Sequence, residues 1–252
     1  MYQGFYELTS GMITQQRNLN TISNNMANVE TAGYKSDKMT MSTFDEQMLI
    51  RTGRTAKRNT KDLGVSTPIV KADQTYTDYT QGSPEETDGK YDFCISGDGF
   101  FSVRTDSGVQ YTRNGGFSVS NDGTLMLDNI GPVLGADGNP ITIDNENFTV
   151  SEDGRIFSDT GRILGQLRIT TFDTSTLHKE DNGMYTATTD AGTDATGQTD
   201  ILYGYLETSN VNMIDEMTDM ISAERAYQGA AQMLKMYDNV LDQAANSAGR
   251  IV

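Results

Sequence analysis

The sequence predicts an α+β fold with a long helix at each end of the chain and an all-β domain between them. Three observations predict it: apolar residues recur at heptad spacing in the first 34 residues, they do so again in the last 48, and short apolar runs separated by Asn-Gly and Asp-Gly pairs fill the middle. Sustained heptads are typical of coiled-coil-like helices, and these dipeptides are typical of tight hairpins. We therefore expect a discontinuous helical domain of 1–36 and 205–252, an extended basic connecting segment of 37–84, and an all-β domain of 85–204.

The N-terminal helix is predicted by a seam that advances in steps of three and four residues. Seven of its eight positions are apolar, and the seam comprises Phe5, Leu8, Met12, Gln15, Leu19, Ile22, Met26 and Val29. Gly33 suits a C-terminal cap, so the helix should end near it. The other face is rich in Asn and Gln. Amides can exchange hydrogen bonds with neighbouring chains without burying charge, so this face is suited to close packing.

The C-terminal helix is predicted by a second seam, which steps by four and three residues from Met213 to Ala248. Asn212 should cap its start, with Asp215 three residues further on as in a capping box. Eleven of the 13 methionines lie in 1–50 and 205–252. Thioether side chains adapt to several packing arrangements, so both helices are suited to contacts with other chains. The alternative is that the two helices pack only on each other, inside one domain.

The middle of the chain predicts a series of short strands. They are Asp92–Ile95, Phe100–Thr105, Gln110–Thr112, Phe117–Ser120, Leu125–Leu127, Ile141–Ile143, Phe148–Ser151, Ile163–Thr171 and Tyr185–Thr188. Two stretches, FSVSNDGTL at 117–125 and FTVSEDGRI at 148–156, share five of nine residues. We interpret them as two hairpins with the same turn chemistry, and an internal duplication is the alternative.

The connecting segment is basic in an acidic protein. The chain has a net charge of −16, yet Lys35 to Lys61 contains seven basic and three acidic residues. The stretch RTGRTAKRNTKDLG has no hydrophobic period, so it should be extended. The segment is either a solvated loop or a partner for acidic surfaces on neighbouring copies.

Composition and motifs exclude several classes of function. The acidic balance argues against nucleic-acid binding, and no apolar run approaches the roughly 20 residues of a membrane span. The first residues also lack the basic and apolar regions of a Sec-type signal peptide. One histidine, His178, and one cysteine, Cys94, exclude most zinc sites. No nucleophile, metalloprotease or phosphate-binding motif is present, so we predict no enzymatic activity, no cofactor and no metal.

Three blocks resemble the signatures of the bacterial flagellar rod and hook proteins. The terminal blocks are LNTISNNMAN at 19–28 with TAGYK at 31–35, and GYLETSNVN at 204–212 with MTDMI at 217–221 and ERAYQ at 224–228. The middle block, GDGFF at 97–101 with YTRNG at 111–115 and Phe117, is similar to the β-domain core of that family. By these blocks the chain is identified as a member of the axial family, most similar to the distal rod and next to the proximal rod.

The resemblance implies a structural subunit of the flagellar basal body that leaves the cell through the flagellar export apparatus, without a cleaved signal peptide. Its terminal helices would form the inner layer of a helical homopolymer, the rod that transmits torque from motor to hook, with the β domain outside. Its partners would be copies of itself, neighbouring rod and hook proteins, and the export apparatus. The implied intersubunit contacts are Leu19, Ile22, Asn24, Asn25, Met26, Asn28, Ser209, Asn210, Val211, Met217, Ile221, Arg225 and Tyr227.

Three alternatives to this interpretation stay open. Within the family, the chain is a proximal-rod or hook-type axial protein rather than a distal-rod protein. Outside it, the β domain is a surface module that binds a glycan, in which case the termini would not matter for binding. A third alternative is a hydrolase of the cell wall, which would need a cleft with paired carboxylates.

Overall fold

The fold has two long helices and a β-rich central region, so the predicted α+β class is confirmed. The computed structural model describes residues 2–43, 47–51, 61–66, 70–143, 147–180, 182–187 and 192–249. Within these ranges the helices are α1 (Tyr2–Ala27) and α2 (Met213–Gly249). Neither of them has an apolar stretch of the length that crossing a membrane requires.

The chain divides into two compact units. Unit 1 comprises Met1–Met26, Asp37–Tyr76 and Asn212–Val252, and unit 2 comprises Ala27–Ser36 and Thr77–Val211. Residues 27–36 and 205–211, which the sequence assigns to the helical domain, therefore pack with the β-rich unit. Most of the segment predicted as a connector belongs to unit 1. Its basic residues Arg54, Lys57 and Arg58 lie outside the described residues.

Unit 1 combines the two helices with four strands. The strands are β1 (Asp37–Thr43), β2 (Gln47–Arg51), β3 (Lys61–Ser66) and β4 (Val70–Thr77). β1 pairs with β4, and β2 pairs with β3 in antiparallel register. Much of the chain predicted to be extended is therefore paired as strands, which satisfies its backbone hydrogen bonds.

The seam of α1 is its inner face, and the seam of α2 follows the predicted one in part. Ile22 is buried on α1, and the other apolar seam residues described are partly buried. On α2, the predicted seam positions Met220, Tyr227, Ala231, Leu234 and Leu241 are partly buried, whereas Met213 and Met217 are exposed. The first turns differ from the prediction because Glu216, a carboxylate bonded to Asn25, takes a covered position there.

The predicted cap of α2 is confirmed. Asn212 Oδ1 accepts a hydrogen bond of 3.1 Å from the backbone N–H of Ile214, and the Asn212 carbonyl accepts the first helical bond, from Glu216. The carboxylate of Asp215 accepts a 2.8 Å bond from the Asn212 side-chain amide. Asn212 is therefore the cap, but Asp215 binds its side chain rather than its backbone N–H, so the arrangement differs from the predicted capping box.

Unit 2 contains the remaining strands. They are β5 (Pro84–Glu86), β6 (Phe93–Ser96), β7 (Phe100–Thr105), β8 (Gly108–Thr112), β9 (Phe117–Val119), β10 (Leu125–Leu127), β11 (Gly131–Pro132), β12 (Phe148–Val150), β13 (Arg155–Ser158), β14 (Ile163–Gln166), β15 (Ile169–Thr171), β16 (Leu177–Lys179), β17 (Tyr185–Ala187), β18 (Thr193–Asp194), β19 (Asp200–Tyr203) and β20 (Tyr205–Glu207). A 3₁₀ turn lies at Thr174–Thr176. The predicted strand Ile141–Ile143 is reduced to an isolated bridge between Thr142 and Thr124.

The strands of unit 2 form one large sheet and several small ones. The six-stranded sheet has the order β16-β17-β8-β7-β15-β18, and the three-stranded sheets are β11-β10-β9 and β12-β13-β14. Two further pairs, β19-β6 and β20-β5, join the end of the unit to its beginning in antiparallel register. The chain segment that leads into α2 is therefore an integral part of the β unit.

One large and one small cluster of buried side chains form the core of the described part of unit 2. Phe93, Phe101, Leu125, Ile156 and Ile169 have at most 1% of their surface exposed, and they come from five different strands. Burial of such side chains stabilises each by about 1.5–3 kcal/mol relative to exposure. The core therefore holds the small sheets together.

The two similar nonapeptides form hairpins of the same geometry. In the first, Val119 faces Leu125, and in the second Val150 faces Ile156, so both have the same register. Gly123 and Gly154 have φ of 76° and 78° in the two turns, a conformation that favours glycine. The interpretation as two hairpins is confirmed, and their equal register is compatible with the duplication as well.

Candidate functional site

Apolar side chains of α2 lie on its exposed surface in two short rows. Ile214, Met217 and Ile221 are 75%, 47% and 52% exposed and are spaced as i, i+3 and i+7, so they line one side of the helix. The same spacing recurs in a second exposed row of Met233, Met236 and Val240. Contiguous exposed apolar surface is a candidate for contact with another protein.

The α1 helix also exposes large apolar side chains. Tyr6 is 64% exposed and Ile13 is 52% exposed, one heptad further along. Together with Thr9, Arg17 and Ala72 they line an open cleft of about 340 Å³ in unit 1. The described lining is completed by Ser10 and Thr14.

The predicted contact residues divide by burial. Asn24, Met217, Ile221 and Arg225 are exposed, whereas Leu19, Met26, Asn28, Ser209, Asn210 and Tyr227 are partly buried and Ile22, Asn25 and Val211 are buried. Asn210 is engaged within unit 2, where its amide accepts a bond from Ser36 N–H and donates to the carbonyl oxygens of Asp78 and Thr80. The exposed members are the ones with the most solvent-accessible surface.

Asn25 joins three elements of unit 1. Its side-chain amide donates to the Asp37 carbonyl at 2.8 Å and to Glu216 Oε1 at 2.9 Å, and its Oδ1 accepts from the Asp37 N–H at 2.9 Å. Burial raises the pKa of the Glu216 carboxyl, while the hydrogen bond from Asn25 opposes that rise. Asn25 thus fixes the end of α1 against the start of α2.

A buried ion cluster in unit 2 consists of Lys35, Arg113 and Glu207. Lys35 Nζ donates to Glu207 Oε1 and, at 2.8 Å, to the Thr80 carbonyl. Arg113 donates to Glu207 Oε2 at 3.3 Å. The side chains of Lys35 and Glu207 have no exposed surface, and that of Arg113 is 4% exposed. One carboxylate is therefore paired with two cations out of contact with water.

Backbone and aromatic groups complete the surroundings of the ion cluster. Glu207 Oε1 also accepts from the Gly82 N–H at 2.9 Å, and the Gly33 N–H donates to the Glu207 carbonyl at 2.7 Å. The guanidinium of Arg113 lies 5.1 Å from the centre of the Phe100 ring, close enough for a cation–π interaction. These contacts supply part of the polar environment that buried charges require.

The ion cluster brings together the three sequence blocks that carry the family resemblance. Lys35 ends the first block, Arg113 lies in the middle block, and Glu207 lies in the last, 172 residues after Lys35. Sequence reasoning missed these residues because opposite charges far apart in a chain give no periodic signal. Their presence inside the three blocks was the one available indication.

Electrostatics around the ion cluster are dominated by burial. Burial lowers the pKa of Lys35, and the hydrogen bond and charge of Glu207 oppose that shift. Burial, followed by the charge of Glu207, raises the pKa of the Cys94 thiol to about 11. Cys94 is fully buried in β6, as the sequence predicts, so its thiol is protonated at neutral pH.

Cys94 is expected to resist thiol reagents in the folded protein. At pH 8 a pKa near 11 gives a thiolate fraction roughly 100-fold smaller than that of a thiol with the ordinary pKa of 9.0, and burial blocks the reagent as well. Labelling should therefore be at least about 100-fold slower in buffer than in 8 M urea at the same pH. Equal rates in the two solvents would contradict the buried position.

Within the described ranges, no group of three metal-ligating side chains is close enough to hold an ion. His178 is exposed on β16. The features that stand out are the exposed apolar rows and the buried ion cluster. They make the helical surfaces candidates for contacts with other chains and the ion cluster a candidate structural element.

Three family descriptions match successive parts of the sequence. Residues 5–35 match "Flagella basal body rod protein", residues 94–158 match "Flagellar hook protein FlgE/F/G D1 domain", and residues 203–247 match "Flagellar basal body rod FlgEFG protein C-terminal". These matches contain Lys35, Arg113 and Glu207 respectively, so each contributes one member of the ion cluster.

Curated relatives match over the whole chain. The flagellar hook-basal body complex protein FlhO of Bacillus subtilis is 33% identical, with 100% of both chains covered. The flagellar basal-body rod protein FlgF of Caulobacter vibrioides is 32% identical, covering 100% of this chain and 98% of its own. FlgG of Bacillus subtilis is 31% identical, covering 98% and 99%.

The chain belongs to the flagellar basal-body rod protein family. It is a structural subunit of the bacterial flagellar rod, and its place is the flagellar basal body. The relatives are structural proteins rather than enzymes, in agreement with the exposed helical surfaces. The predicted family, function and location are confirmed.

Proposed function

We propose that this rod subunit polymerises through α1 and α2 into a helical tube that transmits torque from motor to hook. The observation that carries the proposal is the pair of exposed apolar rows on α2, at Ile214, Met217 and Ile221 and at Met233, Met236 and Val240. A single chain leaves them in water, and packing them against neighbouring copies would bury them.

Within one copy, we propose that α1 and α2 pair as an antiparallel coiled coil. Two contacts support the pairing: Asn25 bonds to Glu216, and the position of a Cβ on Gly4 would lie 4.0 Å from the Tyr237 ring. Both helices span 21 residues between these contacts, so they run in opposite directions at equal rise. The partly buried seam of α1 lies on the same helix as both contacts.

We assign different roles to the predicted contact residues. Met217, Ile221, Arg225 and Asn24 would touch neighbouring copies, since their surface is exposed in the single chain. Ile22 and Asn25 would instead hold the helix pair together within one copy, because both are buried in the single chain. The remaining predicted residues, which are largely partly buried, would contribute at the rim of the contacts.

The assembly we propose is heterologous: one surface of a copy binds a different surface of the next. Such contacts build a helix rather than a closed ring when the rotation between copies does not close. Close-packed helices resist shear, so a tube built from them can transmit torque without slipping. The partners would be copies of this chain, adjoining rod and hook proteins, and the flagellar export apparatus that delivers the chain.

The first experiment asks whether the purified protein forms tubes visible by negative-stain electron microscopy. We expect the full chain to form them above a critical concentration and the chain lacking residues 1–34 to form none, because deletion removes α1. Unit 2 of the truncated chain should be checked by circular dichroism. Tubes of normal appearance from the truncated chain, or a full chain that stays monomeric at every concentration, would contradict the proposal.

Along the rod, we propose the distal position. The support is the resemblance of the run at Glu207–Asn212 to the distal-rod signature. If the gene is deleted and basal bodies are imaged, we expect a shortened rod that keeps its proximal part. Loss of the rod from its base would favour the proximal position instead.

A further inference from the structure

The ion cluster of unit 2 is unbalanced in charge. Lys35 and Arg113 both depend on Glu207, and all three side chains are buried. The Nε of Arg113 is buried and, among the described residues, has no hydrogen-bond partner. Removing Glu207 would take the shared carboxylate away from both cations and leave Lys35 only the weaker influence of Asp78, whereas removing Lys35 would leave a neutral pair of Arg113 and Glu207.

The ion cluster connects two segments that have little regular secondary structure. Residues 28–36 contain neither helix nor strand. Besides Lys35 itself, they are fastened by the Gly33 N–H to the Glu207 carbonyl, by the Ser36 N–H to Asn210, and by bonds from the Asp78 N–H to the Ser36 carbonyl and from Lys179 Nζ to the Lys35 carbonyl. Glu207 lies at the end of the three-residue strand β20, whose partner is the short, exposed strand β5.

These segments are the ones that continue directly into the terminal helices. Residue 28 follows the last residue of α1, and residues 208–212 lead from β20 to the first residue of α2. The ion pair between Lys35 and Glu207 therefore holds the segment that follows α1 next to the segment that precedes α2. We call residues 28–36 and 204–211 the helix roots.

We infer that the ion cluster is a clamp that fastens the two helix roots to unit 2, and that Glu207 is its controlling residue. Without Glu207, burying two cations that have lost their shared carboxylate is so unfavourable that opening the roots to water becomes the lower-energy alternative. The opening is local because the apolar core of unit 2 lies in other strands. The clamp acts within one chain and does not depend on polymerisation.

The clamp is tested by amide hydrogen exchange on the monomeric full chain carrying Glu207→Gln. The reporter amides are Gly33, Ser36, Asp78 and Gly82, which all bond within the roots or across to them. We expect their exchange to accelerate by on the order of 100-fold. The core amides of Leu125 and Val133, which bond to Ile141 and Leu125, should change by less than about threefold.

Three further variants make the test specific. Glu85→Gln removes the same charge from the exposed strand paired with β20 and should leave all reporters unchanged. Lys35→Met should accelerate root exchange far less than Glu207→Gln, since Arg113 keeps its partner. The double variant Lys35→Met/Glu207→Gln should fall between the two, because only one buried cation is then unpaired.

Two outcomes would overturn the clamp. Unchanged root exchange in Glu207→Gln would mean that the cluster does not hold the roots. Equal acceleration of root and core amides would mean that it stabilises unit 2 as a whole. If Glu207→Gln cannot be purified, the root exchange rates of Lys35→Met and of the double variant are compared instead. A double variant that exchanges no faster than Lys35→Met contradicts the proposal.

Discussion

Ile221→Asp on α2 is expected to abolish tube assembly while leaving the single chain intact. Ile221 is 52% exposed and lies in the row with Ile214 and Met217. At a packed contact between copies, the substitution loses the burial of an apolar side chain and forces a carboxylate out of water. We expect the critical concentration for tubes, measured by sedimentation and negative stain, to rise about 100-fold or more.

The matched control for this prediction is Ser222→Asp. Ser222 is the next residue of the same exposed turn, and the substitution adds the same charge on another side of the helix. It should change the critical concentration by less than about threefold, as surface substitutions away from a contact do. If Ile221→Asp assembles as readily as Ser222→Asp, the exposed row is not a subunit contact.

Gly115→Ala is expected to destabilise unit 2 severely. The Cβ that alanine would add at Gly115 would lie 1.7 Å from the carbonyl oxygen of Phe93, and Phe93 is a fully buried core residue. Backbone atoms cannot move aside without breaking the hydrogen bond between Phe93 N–H and the Gly115 carbonyl. We expect the free energy of unfolding to fall by about 3 kcal/mol or more.

The neighbouring glycine provides the control. A Cβ at Gly116 would come no closer than 3.3 Å, to the Asn114 side chain, so Gly116→Ala should change stability by less than about 1 kcal/mol. Urea unfolding followed by tyrosine fluorescence suits this chain, which contains 12 tyrosines and no tryptophan. Coincident unfolding curves for the two variants would contradict the close approach at Gly115.

Local features of this protein were predictable wherever neighbouring residues determine them. The cap at Asn212 was predictable because its side chain accepts a hydrogen bond from a backbone N–H only two residues further along the chain. The paired hairpins follow from Asp-Gly turns, whose glycines adopt positive φ. Strands that join distant segments, such as β19 and β20, were missed because their partners β6 and β5 lie more than 100 residues earlier in the sequence.

The sequence by itself determined the α+β class, the two helices at the chain ends, and membership of the rod family, because these depend on periodicity and on motifs that each lie within a short stretch. Only the tertiary structure decided which positions are covered at the start of α2, where Met213 and Met217 are exposed and Glu216 takes a covered position through its bond to Asn25. It also decided that Lys35, Arg113 and Glu207 share one buried site. Pairing between charges that are far apart in the sequence depends on how the whole chain folds, and the local sequence does not determine it.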